Sequence, residues 1–418
     1  MHNHCIKQLL ELPDVNIKGT YLDQKKNILI EVKPVDHSQP CPVCRSEQVK
    51  RNGTPYKRCV RHLPMGVSHT YLRLPAIALE CQNCGFHFVW QYDFVAPKKR
   101  YTIAFQNQCL QKGHGTTVKS LARFEEAPYT TVERFFKMGL QIKSEATQQT
   151  CFQDAADRQD LVLGIDDFAI RKGHTYNTGI HDLKGGSMLD IIAGRKKEDL
   201  HAHAEAHPSL HVLNPVAVVM DMSFTYHQVI GSWFPRAIRI VDRFHVNRYV
   251  TEALQDVRRD VQKALSPHAR KKLKRNHRLL AKRGDELSDK ELAIVQTIIH
   301  YHPTLAQAYE WKEALIEWYD LSSDAKQAAK TLQKWYTQGH EIQHQAAEEC
   351  LKTLKNWEKE IVNYHRLRYT NAVVEGRHNK IKALQRRHYF TRNPNVYHQR
   401  ILVECNEDYM DKYMETPA

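Results

Sequence analysis

Hydrophobic positions along the chain change period several times, and each change marks a different kind of structure. After a polar start, residues 1–40 alternate, as in Asn27-Ile28-Leu29-Ile30-Glu31-Val32, which predicts short half-buried strands. Strand-like runs such as Tyr71-Leu72-Arg73-Leu74 continue to about residue 95. From 100 to 145 the period becomes helical, and a polar stretch at 144–158 predicts a linker. Residues 160–245 then hold three largely apolar runs, 161–165, 216–220 and Ile238-Arg239-Ile240-Val241, each followed by aspartate. Such runs predict central strands buried on both faces. Between 246 and 360 the strand signal disappears and Lys, Arg, Glu, Gln, Ala, Leu and His dominate, which predicts a long helical stretch. Residues 364–411 are again helical and strongly basic.

Turn signals refine this picture. Lys172-Gly173-His174 reads as a turn into a second strand, and residues 181–186 as a hairpin turn into a third at 187–193. Three antiparallel strands with a carboxylate on the first follow. In the helical stretch before 145, Val118, Leu121 and Ala122 share one face, Pro128 forces a break, and Thr130 or Thr131 can cap the next helix. There Val132, Phe135 and Phe136 form the apolar face, leaving Arg134 and Lys137 exposed. This is the layout of a helix-turn-helix over 96–145, although any αα-hairpin has the same periodicity. The upstream run Lys98-Lys99-Arg100 favours the DNA-binding reading.

Charge points the same way. The 418 residues carry 61 Lys+Arg against 47 Asp+Glu, a formal net charge of +14, with a pI near 9.2. That balance suits a polyanionic partner. No run of about 18 apolar residues exists, and the N-terminus, Met-His-Asn-His-Cys, lacks a signal-peptide core. A cytoplasmic, nucleoid-associated protein with no membrane partner and no small-molecule substrate is expected. Residues 258–283 are nearly free of acid and include Lys271, Lys272, Lys274 and Arg275, which suits contact with backbone phosphates. Arg377, Lys380, Lys382, Arg386, Arg387 and Arg392 form a second basic run.

Ten cysteines are too few for a disulfide scaffold, but four form two pairs, Cys41-Pro42-Val43-Cys44 and Cys81-Gln82-Asn83-Cys84, the second followed by Gly85. Two such knuckles supply four thiolates for a tetrahedral structural Zn2+ within an N-terminal domain at 1–95. His62, His69 and His87 are nearby substitutes as ligands. The scattered Cys5, Cys59, Cys109, Cys151, Cys350 and Cys405 are expected to be buried or idle.

The acids carry the chemistry. Residues 161–165 deliver Asp166 and Asp167, residues 216–220 deliver Asp221, and residues 238–241 deliver Asp242, with His245 close behind. Carboxylates at the C-terminal ends of central strands stand where an open α/β sheet holds its site. Much later, Glu375 lies on a helix flanked by basic residues. Phosphoryl transfer on DNA uses two divalent cations, and Mg2+ or Mn2+ needs hard oxygen ligands. Carboxylates from two strand ends and a helix meet that demand.

These stretches resemble the DDE transposases of bacterial insertion sequences, in the ISL3 group with a zinc-binding N-terminus. The likeness is carried by Gly164-Ile165-Asp166-Asp167-Phe168-Ala169, then Arg171-Lys172-Gly173-His174 and Tyr176, Asp182-Leu183, Gly194-Arg195 and Val219-Met220-Asp221-Met222. It continues with Tyr226, Phe234-Pro235, Val241-Asp242-Arg243-Phe244-His245, Asn371-Ala372-Val373-Val374-Glu375-Gly376 and Asn379-Lys380-Ile381-Lys382. The resemblance implies a multidomain α+β and α/β architecture: zinc ribbon, helix-turn-helix, and an RNase-H-like catalytic core. That core would run over 158–245, be interrupted by an all-helical insertion at 246–360, and resume with final helices and a basic tail at 361–418. The resemblance also implies a catalytic and metal-binding triad of Asp166, Asp221 and Glu375. Asp167 remains open as the ligand in place of Asp166, and Asp167, Asp242 and His245 are supporting candidates. Alanine at 372 departs from the small polar residue or glycine expected after Asn371, at a position that touches no proposed ligand.

The expected function is binding of terminal inverted repeats, metal-dependent strand cleavage and strand transfer, by a homo-oligomer bridging element ends and target in double-stranded DNA. A catalytically inactive DNA-binding regulator is the alternative. An RNase-H-type nuclease acting on RNA–DNA hybrids or junctions is a third reading.

Overall fold

The computed structural model describes residues 6, 10, 12, 15–35, 39–171, 175–388 and 393–415. The predicted turn at 172–174, Cys5 and Arg392 lie outside the described residues. The chain divides into two compact units: Met1–Lys143 with Arg386–Gln399, and Ser144–Gln385 with Arg400–Ala418.

The first unit contains two sheets. Strands β1 (Val15–Leu22), β2 (Ile28–Pro34), β4 (Tyr56–Met65) and β5 (Ser68–Ala76) form one in the order β1-β2-β5-β4. Its alternation is the predicted one, with Ile30, Val32, Val60, Leu72 and Leu74 turned into a common core. Strands β3 (Val49–Arg51), β6 (Ala78–Cys81) and β7 (His87–Val89) form a second, antiparallel sheet. Helices α1 (Ile103–Gly113), α2 (Val118–Phe124) and α3 (Tyr129–Asp157) follow. Phe105, Cys109, Leu121, Ala122, Val132 and Phe135 pack together between them.

Thr117 caps α2, its hydroxyl accepting from the Ser120 amide at 3.0 Å. The turn to α3 passes through Glu126 in the left-handed region (φ 44°). Pro128 does not precede a threonine cap as predicted. The helix starts directly after it, with the Thr131 and Val132 amides donating to the Pro128 carbonyl, so Thr130 and Thr131 occupy the first turn. The expected linker at 144–158 is also helix, because α3 continues to Asp157. Its polar sequence contains no Pro or Gly after Gly139, so nothing in it stops the helix.

The second unit is built on a five-stranded sheet. Strands β8 (Val162–Arg171), β9 (Thr175–Asp182), β10 (Ser187–Ala193), β11 (Ala217–Met220) and β12 (Ile238–Val241) are ordered β10-β9-β8-β11-β12. The pairs β10/β9 and β9/β8 are antiparallel, whereas β8/β11 and β11/β12 are parallel. Helix α4 (Lys197–Ala206) packs on β10, and α5 (Phe224–Trp233) on β11.

From α6 (Arg243–Ala264) to α13 (Tyr364–Leu367) the described chain is helical. Val246, Val250, Leu254, Val257 and Val261 recur on one face of α6, which packs against α9 (Pro303–Leu321) and α11 (Gln345–Lys355). Trp311 on α9 and Trp335 on α10 (Ala325–Glu341) stack with centroids 4.7 Å apart. Each indole N–H donates to the other residue's carbonyl, at 3.3 and 2.9 Å. This helical layer shares one continuous core with the sheet. Helices α14 (Ala372–His388), α15 (Pro394–Cys405) and α16 (Glu407–Glu415) end the chain.

Candidate active site

Strand register brings the acids together. Met220 on β11 pairs with Ile165 on β8 and with Val241 on β12. The next residue on each strand is an aspartate, so Asp166, Asp221 and Asp242 form a row where the parallel ladder ends. Asp166 does not close its strand as predicted. β8 runs on to Arg171, paired with β9, and Asp166 stands where its parallel neighbour stops.

Side-chain alternation separates the two neighbouring acids. Asp166 converges on Asp221 and His245, whose ligand atoms lie within 4.8 Å of one another. The Asp167 carboxylate instead accepts from Arg195 at 2.8 Å, and that guanidinium lies 3.9 Å from the Tyr176 ring centroid. His245, in the first turn of α6, places Nε2 2.8 Å from Asp221 Oδ1. Asp242 is buried at the start of that helix and accepts from the Asn371 amide.

Glu375 sits in the first turn of α14, exposed, outside this tight group. It lines the same cleft of about 850 Å³, together with Asp166, Asp221, Asp242, His245 and His378. One turn after Glu375, the buried His378 places Nδ1 3.4 Å from Asp166 Oδ2. Sequence reasoning missed His378. The available signal was spacing: Glu375, His378 and Lys382 recur at i, i+3 and i+7, one face of a helix. Gly164 lets α14 approach β8, since a Cβ there would meet Asn371 Oδ1 at 2.7 Å and Val374 Cγ2 at 3.1 Å. Further along, the Gln385 amide donates to the Ala169 carbonyl at 2.8 Å.

The electrostatics are those of a carboxylate cluster without enough positive charge. Burial, then the facing Asp221, pushes Asp166 up to about 8. Burial also raises Asp242. Burial disfavours the charged His245 ring, but Asp221, Asp166 and Asp242 outweigh it and raise the group above its ordinary value. Burial, with Lys382 adding to it, brings His378 down to about 4. Half-buried like charges need a shared proton or a cation, and hard oxygen donors with one imidazole suit a divalent metal ion.

A family model described as a transposase, of the DDE ISL3 group, matches residues 163–401, more than half the chain and all of the cleft-lining residues. The chain belongs to that family. It is also 26% identical over 384 residues to the "Transposase for insertion sequence element IS1001" of Bordetella parapertussis, covering 91% of this chain and 92% of the relative. This transposase is therefore an enzyme acting on DNA.

In the first unit of the transposase, Cys41, Cys44, Cys81 and Cys84 form a second cluster that could hold a metal ion. Cys41 Sγ is 3.6 Å from Cys84 Sγ, and Cys44 Sγ 3.5 Å from Cys81 Sγ. The two knuckles are near copies. The Arg45 and Gly85 amides donate to the Cys41 and Cys81 carbonyls, with φ of 58° and 71°. Glycine relieves the left-handed strain in the second knuckle, whereas arginine tolerates it in the first. The Ser46 amide favours the Cys44 thiolate, bringing it down to about 6. At Cys84 the Phe86 amide acts the same way, but burial and the other three sulfurs push the thiol up to about 12. His62 and His69 bond elsewhere, to Thr102 and to Arg61 and Glu126.

The basic residues divide. Arg134 and Lys137 are exposed on α3, Lys137 pairing with Glu133 at 2.9 Å. On α7 (Pro267–Asn276), Lys271, Lys274 and Arg275 are exposed and Lys272 half-buried, and none forms an ion pair among the described residues. The neighbouring cations of the 258–283 run are not free as the local sequence predicts. Arg259, Lys263, Lys282 and Arg283 pair with Asp256, Asp260, Glu291 and Asp320, while Arg258 is buried beside Gln255 and Gln262. Arg377, expected on the surface, is buried, bonding His181 at 3.2 Å and donating to the Gly186 carbonyl. Lys380 and Lys382 reach solvent on the same helix, and Arg386 and Arg387 are exposed in the first unit. No helix among the described residues is long and apolar enough to cross a membrane.

Proposed function

We propose that Asp166, Asp221 and Glu375 are the catalytic triad with which this transposase cleaves the ends of its insertion sequence and joins them to target DNA. The observation that carries this reading is the row of aspartates set by the β8/β11/β12 register, with Glu375 brought into the same cleft by α14. A mixed sheet ordered β10-β9-β8-β11-β12 supports an RNase-H-like core. The helices between β12 and α14 are read as an insertion into it, corresponding to the expected 246–360.

Mg2+ or Mn2+ held by these carboxylates would activate the attacking water or 3′-hydroxyl and stabilise the leaving oxygen. The protein's own groups prepare that geometry. His245 fixes the Asp221 carboxylate, and His378 faces Asp166 from α14. Asp167 is held away by Arg195, which favours Asp166 as the ligand. Lys380 and Lys382 can meet the DNA backbone beside the carboxylates.

The four cysteines are read as a structural Zn2+ site in the N-terminal domain, 1–95, since four thiolates leave no open position for catalysis. Helices α1 and α2 and the first half of α3, within 96–145, are read as a helix-turn-helix that presents Arg134 and Lys137 to the terminal repeats. Lys271, Lys272, Lys274 and Arg275, with Arg386 and Arg387, supply phosphate contacts. Synapsis of two ends would require a homo-oligomer, and the cytoplasmic nucleoid is the place of work.

The test is nicking of a duplex carrying the element's end in Mg2+ or Mn2+. Metal-dependent nicking at the end supports the reading. Tight repeat binding with no nicking in either metal supports a regulator, and preference for an RNA–DNA hybrid supports a general RNase-H-type nuclease.

A further inference from the structure

The first unit contains a cleft of about 890 Å³ that none of these roles uses. It runs between β4, β7 and the segment 90–100. Five of its lining residues are aromatic: Tyr56, Phe86, Phe88, Trp90 and Tyr92. Four are cationic: Arg58, Lys98, Lys99 and Arg100. Among the described residues, no acidic one lines it. Tyr56 is 57% exposed and Phe86 42%, which is costly for rings that only pack. Trp90 packs edge-on against Tyr92, with ring centroids 4.5 Å apart. The rim is held in place: Gln39 bonds both backbone groups of Gln91, at 2.7 and 2.9 Å. Lys98 is in the left-handed region (φ 60°), at the turn into Lys99 and Arg100.

Aromatic faces with a surrounding band of positive charge and no acid make a surface on which unpaired bases stack while phosphates meet cations. The volume lies in the range of small-ligand pockets, roughly 300–1,000 Å³, so it admits a nucleotide or two and not a double helix. We propose that this cleft binds unpaired DNA nucleotides, a single-stranded segment exposed when an element end is opened. The proposal rests on the transposase acting on DNA but not on the carboxylate assignment, and its test is run without divalent metal.

The test uses the full chain and fluorescein-labelled (dT)8 in EDTA-free buffer without added Mg2+ or Mn2+. Stacking contributes about 1–3 kcal/mol per base, so Tyr56→Ala and Phe86→Ala are each expected to weaken (dT)8 binding by roughly 5- to 150-fold. Lys98→Ala with Arg100→Ala should lower the salt slope by about 1.4, the value for two phosphates on a single strand. In the unaltered protein, (dT)8 should protect the exposed Cys59, which lines the cleft, from alkylation as mapped by mass spectrometry, and an eight-base-pair duplex should not. Wild-type affinity in both aromatic variants, or no protection of Cys59 by (dT)8, would overturn the proposal. Equal protection by the duplex would also overturn it, making the cleft a duplex surface.

Discussion

A Cβ on Gly164 would stand 2.7 Å from Oδ1 of Asn371, closer than a carbon that cannot hydrogen-bond approaches an oxygen. Asn371 begins the helix that carries Glu375, and its carbonyl accepts from the Glu375 amide at 2.9 Å. The missing side chain at 164 therefore sets how closely Glu375 approaches the strand bearing Asp166. Overpacking of this kind costs about 1–3 kcal/mol. Gly164→Ala is expected to slow metal-dependent nicking at least tenfold while repeat binding stays within about threefold. Single-turnover nicking and a binding titration on the same preparation check this; unchanged nicking would mean that α14 need not sit so close.

His378 touches Asp166 from the same helix. Groups that orient a ligand commonly contribute 10- to 100-fold in activity or metal affinity. His378→Ala is expected to lose roughly that much nicking, and to require more Mn2+ for half-maximal rate. His378→Asn, which can keep one hydrogen bond, should recover part of the loss. A rate loss with unaltered Mn2+ dependence would place His378 in packing instead.

The four-cysteine cluster has a stoichiometric signature. Wild-type protein is expected to carry one zinc per chain by elemental analysis, and Cys81→Ser to lose it. Structural zinc contributes on the order of several kcal/mol to a small domain, so the loss should melt the first unit and abolish repeat binding. Repeat binding that survives full removal of zinc by a chelator would contradict the structural role.

Stability should also depend on pH through His365, away from the carboxylates. Packed among Trp318, Tyr319 and Tyr364, its imidazole is brought down to about 4 by burial and by the Arg368 charge, with the Ser322 backbone and then Asp324 acting the other way. The unfolded ring titrates near 6.5, so between about 6.5 and 4 the unfolded chain binds more protons. Stability is thus retained above 6.5 and lost as pH falls through that window, by no more than about 1–2 kcal/mol after solvent screening. Urea midpoints at pH 7 and pH 5 should differ less in His365→Gln than in wild type.

How much of this was legible follows from what each signal depends on. Apolar runs at 161–165 and 216–220 gave the central strands β8 and β11, because a strand buried on both faces leaves its mark in sequence; the run at 238–241, with Arg239 inside it, is instead the half-buried edge strand β12. The two cysteine knuckles were readable because each pair is local in sequence. The different surroundings of Asp166 and Asp167 were not, since they depend on Arg195, beyond the end of β10, reaching one of the two. The inward turn of Arg377 was equally hidden: the guanidinium is satisfied by His181 and the Gly186 carbonyl, nearly two hundred residues away. The helical course of 144–157 was missed because polar, Gln-rich sequence looks like linker when nothing breaks it. His378 was within reach of a spacing argument, but only once Glu375 was placed on the inward face of its helix.

The central claim is that Asp166, Asp221 and Glu375 perform the chemistry. It is tested most directly by single-turnover nicking and strand transfer with Asp221→Ala on an end-bearing duplex in Mg2+ and Mn2+, with repeat binding measured alongside. Both reactions are expected to disappear while repeat binding stays within a few-fold of wild type. Full strand transfer by the Asp221→Ala protein would contradict it.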